Sequence, residues 1–318
     1  MTHNANIQWV DLHTHSTASD GGLTPTRLVA SAKNAGLVGL ALTDHDTGNG
    51  LLEAAEAARQ AGIAFVPGIE ISAEFPHPGT MHLLGYYIDP VSPALKRMSS
   101  LLLEGRDARN PRIIQRLNEL GCAITMEQVQ AIARRGATDG RAVVIGRPHI
   151  AQALAEAGCV ASVKQAFDSY LGTTGQAYFD KERLTRKQAI DCIHDAGGLA
   201  VLAHPVQLRA SGPAELENVV SNLVEVGLDG IEVWHSDHRP VDSEFFLALA
   251  KRYLLVPTGG SDFHGAGKPD INLGLGRGNV RVPVAVLEEL EAAWRRKGRD
   301  AASARVTAGQ APGELEKT

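Results

Sequence analysis

The sequence predicts an α/β fold: a parallel sheet or barrel wrapped in helices and interrupted by a helical insertion. Three observations predict it. Short β-branched or apolar runs recur along the chain, each followed by an amphipathic helical pattern. This alternation stops between Pro90 and about Arg183, where helical patterns follow one another without a strand. It resumes at Thr185 and continues to a final helix beginning near Pro283.

Seven runs read as strands: 7–12, 38–43, 64–69, 82–87, 199–203, 230–234 and 254–258. Between the first two, Thr24 is an N-cap, Pro25 occupies the first helical position and Gly36 closes the helix. In the insertion, helices are expected over 95–120, from a Thr125-x-x-Gln128 capping box to Arg135, over 148–157 and over 162–171. Thr185-x-x-Gln188 is a second capping box where the alternation resumes. The expected organisation is a discontinuous barrel from 1–92 and 184–298, a helical insertion or lid over 93–183, and an unstructured tail over 299–318 rich in Ala, Gly, Ser and charge.

A chain of 318 residues can build one large barrel or two ordinary domains without disulfides or a structural metal. Apolar residues at 44% and charged residues at 21% are globular values. No apolar run approaches the roughly 18 residues of a membrane span, and the start MTHNANIQWV lacks a cationic segment followed by an apolar one. Cys122, Cys159 and Cys192 are widely spaced and outside any C-x-x-C pattern, so reduced thiols and a cytoplasmic location are expected. With 31 basic against 36 acidic residues and a formal charge of −5, affinity for phosphates must come from a local site. No membrane and no protein partner are indicated.

The chain carries 12 histidines, and half of them fall at strand ends. The first strand runs into Asp11-Leu12-His13-Thr14-His15, followed by Ser19-Asp20-Gly21-Gly22. Residues two apart in a strand project to one side, so His13 and His15 can face one ion. The second strand ends in Thr43-Asp44-His45-Asp46, the third in Gly68-Ile69-Glu70, and the fourth begins with His82. After the insertion, the fifth ends in Ala203-His204-Pro205 and the seventh leads into Gly260-Ser261-Asp262-Phe263-His264. The C-terminal ends of barrel strands converge on one mouth. Six histidines and three carboxylates would meet there, too many for one tetrahedral ion and enough for three, with Glu70 or a hydroxide bridging. Ligands without thiolate point to a hydrolytic cluster of Mn, Fe or Zn rather than a closed structural site.

These motifs, D-x-H-T-H-S, S-D-G, T-D-H-D-T, G-x-E-I-S, H-x-L-G-Y, A-H-P and G-S-D-F-H, run in order across residues 11 to 264. The chain resembles the PHP (polymerase and histidinol phosphatase) superfamily of metallophosphoesterases. The resemblance implies a distorted seven-stranded (β/α) barrel and a trinuclear centre of divalent ions, most often Mn, with Fe or Zn as alternatives. Carried over, the ligands are His13, His15, Asp20, His45, Glu70, His82, His204, Asp262 and His264.

The long insertion is similar to the branch acting on nucleoside 3',5'-bisphosphates and on 5' ends of short RNA, as are Arg106-x-x-Arg109-Asn110 and Gly146-Arg147-Pro148-His149. Arg106, Arg109, Asn110, Arg147 and His149 are therefore candidate substrate contacts, since a guanidinium fork binds phosphate through two parallel hydrogen bonds. The expected chemistry is attack on phosphorus by a metal-bridging hydroxide at Glu70. His264, His235 and His149 are candidates for the leaving-group proton. Asp44 and Asp46 are expected to orient ligand imidazoles or handle a proton; His3, His77, His194 and His238 have no expected partner. The rival readings are a histidinol-phosphate-type monoesterase, an amidohydrolase-like C–N hydrolase and a non-catalytic metal-binding regulator. Asp20, the D-H-D segment and the arginines disfavour the second, and the intact ligand positions disfavour the third.

Overall fold

The computed structural model describes residues 7–76, 78–135, 145–180 and 183–309, the last eleven as backbone only. The strands are β1 (Trp9–Asp11), β2 (Leu37–Leu42), β3 (Ala64–Ala73), β4 (Met81–Tyr86), β5 (Leu199–Leu202), β6 (Gly230–His235), β7 (Val256–Gly260) and β8 (Val282–Pro283). The first seven are the runs expected from sequence. The helices are α1 (Pro25–Asn34), α2 (Leu51–Ala61), α3 (Pro93–Glu119), α4 (Met126–Arg134), α5 (Arg147–Glu156), α6 (Val163–Ala166), α7 (Arg186–Asp195), α8 (Pro213–Glu225), α9 (Pro240–Tyr253) and α10 (Val284–Gly309). The expected caps form: Thr24 accepts from Arg27 N, and Thr125 and Thr185 each form a capping box. The segment expected as one helix over 162–171 is instead α6 followed by a π-helical turn, Phe167–Leu171.

The sheet order is β7-β6-β5-β4-β3-β2-β1-β8. Leu12 N donates to Gly259 O (3.2 Å) and Thr14 bridges Phe263, so the ends of β1 and β7 meet and the sheet nearly closes on itself. Two features depart from a seven-stranded parallel expectation. The two-residue β8 adds an antiparallel edge to β1. And β4 runs antiparallel to both β3 and β5. Only a short connection joins β3 to β4, whereas a parallel neighbour needs a crossover of about a dozen residues or more.

Alternate strand residues face different cores, the period-two pattern of a covered sheet. Leu40, Leu42, Ile69, Ile71 and Leu83 pack with helix residues such as Leu28, Leu51 and Ile190. Ala41, Leu84 and Val201 pack instead with Val10, Leu12 and Tyr86. The insertion has a core of its own, including Ile113, Leu117, Val129, Ile150, Leu154 and Leu171. Helix α3 joins the two, because Leu95, Met98 and Leu102 on its first turns pack in the barrel core. Helix α10 runs on to Gly309, into the stretch expected to be unstructured, where its alanines favour helix. Residues 310–318 of that stretch lie outside the described residues. Among the described residues, no helix is long and apolar enough to cross a membrane.

Candidate metal centre and active site

Glu70, near the end of β3, is the hub of the barrel mouth. Its Oε2 lies 3.4 Å from His13 Nε2, 3.3 Å from His15 Nε2 and 3.0 Å from His45 Nδ1. Its Oε1 lies 2.8 Å from both His82 Nδ1 and His204 Nε2. His82 reaches this point because β4 is antiparallel, which brings its first residues to the end where the neighbouring strands finish. Asp262 Oδ1 sits 3.1 Å from His15 Nε2 and 3.6 Å from His13 Nε2. Asp20 faces His264 Nε2 (3.4 Å) and His45 Nε2 (4.0 Å). All nine expected ligands therefore meet at one place.

The backbone there is unusual. Asp46, His204 and Asp262 have φ of 57°, 25° and 58°, a region that non-glycine residues rarely occupy. Hydrogen bonds hold all three: Asp46 N donates to Glu70 O (2.9 Å), His204 N to Glu232 Oε2 (2.7 Å) and Asp262 N to His13 O (2.8 Å). Gly260 is required where β7 meets β1, since a Cβ there would lie 2.2 Å from His13 N.

Buried polar atoms almost always find hydrogen bonds. Among the described residues, the side-chain atoms buried without one include His13 Nε2, both ring nitrogens of His15, His45 Nδ1 and Glu70 Oε2, all at the mouth, beside others on His204, His235, His238, Arg106 and Thr258. Among the described residues, carboxylate and imidazole atoms form four overlapping groups of metal-binding spacing, among them His15, Asp20, His45 and His264, and His45, Glu70 and His82. Lone pairs converging in this way fit divalent cations. Burial opposes a charge on His13, yet Glu232 and Glu70 hold its pKa well above the usual value. Burial likewise opposes ionisation of Glu70, but the surrounding imidazoles, His45 and His82 foremost, keep its carboxyl well below the carboxylate range. Burial dominates at His45 and pushes it down to about 3.

Several supporting residues were not legible as such. Glu232 on β6 accepts from His13 Nδ1, turning the Nε2 lone pair inward. Its only sequence signal is a charge inside an apolar strand. Lys268 Nζ lies 2.6 Å from Asp262 Oδ2, the oxygen that does not face His15. Asp44 and Asp46 brace the backbone and the insertion beside the ligand imidazoles. Asp44 accepts from Ser16 N, Ser16 Oγ and Ser19 Oγ, fixing the turn that carries Asp20, and Asp46 pairs with Arg106 and accepts from Ser72 N. His238 is buried with its Nδ1 on Val233 O, 5.2 Å from the His235 ring, and His194 pairs with Asp229. Neither is the partnerless residue expected; His3 and His77 lie outside the described residues.

The mouth opens into a cavity of about 900 Å³ lined by Asp20, His45, His82 and His264 on the barrel side. Arg106, Arg109 and Arg147 line it from the insertion, and Lys268 and Arg277 from the loop after β7. Burial, and then Arg147, Arg106 and Arg183, disfavour the charge on Arg109 and lower its pKa. Asn110 serves Arg109 rather than the cavity: its Oδ1 accepts from Arg109 (2.9 Å) and its Nδ2 donates to Ile145 O. His149 Nδ1 accepts from Gly146 N at the start of α5 (3.0 Å). His235 is buried, with Nδ1 accepting from Asp237 N and Nε2 3.5 Å from Asp262 Oδ2. His264 Nδ1 bonds Asp262 O, leaving Nε2 toward Asp20.

The PHP domain family matches residues 11–191, more than half of the chain and most of this constellation. The chain belongs to the PHP family. It is 34% identical over 271 residues to a 3',5'-nucleoside bisphosphate phosphatase of Chromobacterium violaceum, covering 83% of this chain and 90% of that one. It is 35% identical to the phosphoribosyl 1,2-cyclic phosphate 1,2-diphosphodiesterase of Eggerthella lenta (80% and 94% covered) and to the 5'-3' exoribonuclease Rnm of Escherichia coli (80% and 84%). Among solved structures, a candidate metal-dependent phosphoesterase from Bifidobacterium adolescentis matches at TM-score 0.79 and 34% identity over 90% of this chain and 96% of that one. A C. violaceum structure named as an amidohydrolase matches at 0.76 and 34% over 89% and 96%. This PHP protein is a hydrolase of phosphoric esters, of a family that works with divalent metals.

Proposed function

We propose that this PHP protein removes the 3'-phosphate from nucleoside 3',5'-bisphosphates, releases nucleotides from the 5' end of short RNA, or does both. The reading is carried by one observation: Arg106, Arg109 and Arg147 share a cavity with Asp20, His45, His82 and His264. Identity does not choose among the relatives, which stand at 34% and 35%. A cationic wall beside the reacting site selects an ester with a second, non-reacting phosphate, which then orients the first. The same wall favours phosphoryl over amide substrates, against the C–N hydrolase alternative.

We infer three divalent ions, with Mn favoured over Fe and Zn. The sets that fit are His13, His15, Glu70 and Asp262; Glu70, His82 and His204; and Asp20, His45 and His264. Bound there, such ions supply positive charge to a phosphoryl group and make water acidic enough to attack near neutral pH. The protein supplies the rest. Glu232 orients His13, Asp46 holds Arg106, and Asn110 holds Arg109.

Of the three proton-donor candidates we favour His149 by elimination; its neighbours Gly146, Arg147 and Pro148 line the cavity. A ring nitrogen that accepts from a backbone N–H carries no proton, so neutral His149 has its proton on Nε2. Nε2 of His264 faces Asp20 as a ligand, and His235 is buried behind Asp262. Residues 93–183 act as the lid, and the three free cysteines suit a reducing cytoplasm.

The test is phosphate and nucleotide release from adenosine 3',5'-bisphosphate, 5'-phosphorylated oligoribonucleotides, histidinol phosphate and phosphoribosyl 1,2-cyclic phosphate. Preference for the first two supports the reading. Turnover confined to either of the last two overturns it.

A further inference from the structure

The cavity has an apolar wall that phosphate recognition does not use. Pro148, Val163 and Phe167 form it from the insertion, and Ala266 and Pro269 from the loop after β7. A ligand made only of sugar and phosphates would leave these groups against water. Phe167 is the one carbocyclic aromatic ring lining the cavity among the described residues.

The placement of Phe167 is specified locally. Ser162 caps α6 by accepting from Gln165 N (3.1 Å), and the chain then widens into the π turn, closed by Gly172 N donating to Phe167 O at 2.8 Å. A Cβ on residue 172 would lie 2.7 Å from that carbonyl oxygen, so glycine permits the closure. Arg147 NH1 donates to Leu171 O (3.0 Å), tying the turn to the cationic wall. Single π turns are rare and occur frequently at functional sites.

We propose that Phe167 stacks on the nucleobase of the substrate and selects base-bearing phosphate esters over abasic sugar phosphates. The proposal rests on the nucleotide reading above and names the group that recognises the base. An aromatic face stacks on any base, so discrimination among the four bases is small, which suits an RNA end of any sequence.

The test compares adenosine 3',5'-bisphosphate with abasic ribose 3,5-bisphosphate in wild type, Phe167→Leu and Phe167→Trp. Leucine keeps apolar volume in the insertion core and removes the π face; tryptophan restores it. The expected result for Phe167→Leu is a KM about tenfold higher for the base-bearing ester, with kcat and the abasic KM little changed, and recovery in Phe167→Trp. Equilibrium binding of adenosine 5'-monophosphate weakens in parallel. Equal effects on both esters, or none on either, overturn the stacking role, as does a wild-type KM indifferent to the base; in each case the phosphoesterase reading stands. A wild type that turns over neither bisphosphate overturns the nucleotide reading and this proposal with it.

Discussion

The Glu232 carboxylate lies 3.0 Å from His13 Nδ1, on the side of the imidazole away from Glu70. It is fully buried, and its second oxygen takes the His204 backbone N–H. One carboxylate thus sets the tautomer of His13 and fixes the strained backbone at His204. Glu232→Gln keeps the shape and loses the charge. Its expected outcome is about 10- to 100-fold weaker metal affinity, read by metal titration, with the fold retained in circular dichroism. Unchanged affinity would mean that His13 is oriented by packing alone.

Arg109 is buried beside Arg106, Arg147 and Arg183, so its charge opposes folding, and the proposed function has it bind the non-reacting phosphate. Arg109→Met should raise KM for a bisphosphate about tenfold or more without lowering Tm. A structural arginine would behave in the opposite way, losing Tm and leaving KM in place. Thermal melts and steady-state kinetics on the same preparations separate the two.

The proton-donor role of His149 predicts dependence on the leaving group. His149→Ala should lower kcat by about 100-fold for a nucleoside alkoxide and leave an activated aryl phosphate, whose leaving group needs no proton, nearly unaffected. Equal losses on both substrates would assign His149 to the start of α5, where its Nδ1 accepts from Gly146 N, and not to proton transfer.

The nine candidate ligands were readable because they are metal-type side chains at or just beyond strand ends, and the structure brings them together at the barrel mouth. The orientation of β4 was not read, although the short stretch between residues 73 and 81 leaves no room for a crossover helix. That orientation explains why His82, at a strand start, is a full member of the site. Glu232 was missed for a different reason. A carboxylate in a strand ordinarily signals an exposed face, and only the barrel shows that this face holds His13. Asp46 and Arg106 each looked functional alone, and their pairing across the barrel and insertion is a tertiary fact with no local signature.

Asp229 binds α7 and α10 to the sheet: it takes hydrogen bonds from His194 Nε2 (2.8 Å), Lys297 Nζ (2.6 Å) and Ala200 N (2.8 Å). Burial raises its pKa, but these partners outweigh burial and the net shift is downward. A carboxyl depressed on folding contributes stability above its unfolded pKa of about 3.9 and loses it as pH falls through the folded value. Asp229→Asn should therefore cost about 1–3 kcal/mol at pH 7, with the difference shrinking below pH 4. Urea unfolding at both pH values measures it; a pH-independent difference would assign the effect to packing.

Glu70 touches five imidazoles through two oxygens, so it should couple metal binding to stability as well as to activity. Chelation should abolish turnover, and re-addition of Mn should restore it while raising stability by about 4 kcal/mol at a thousandfold excess over Kd. Glu70→Gln keeps the volume but removes the charge shared by these histidines. In that variant the Mn-dependent rise in Tm should fall to a small fraction of the wild-type rise, together with activity. A variant that kept the full stabilisation would place the cations elsewhere in the mouth, and Glu70 would then serve only to balance the charge on His13 and His15.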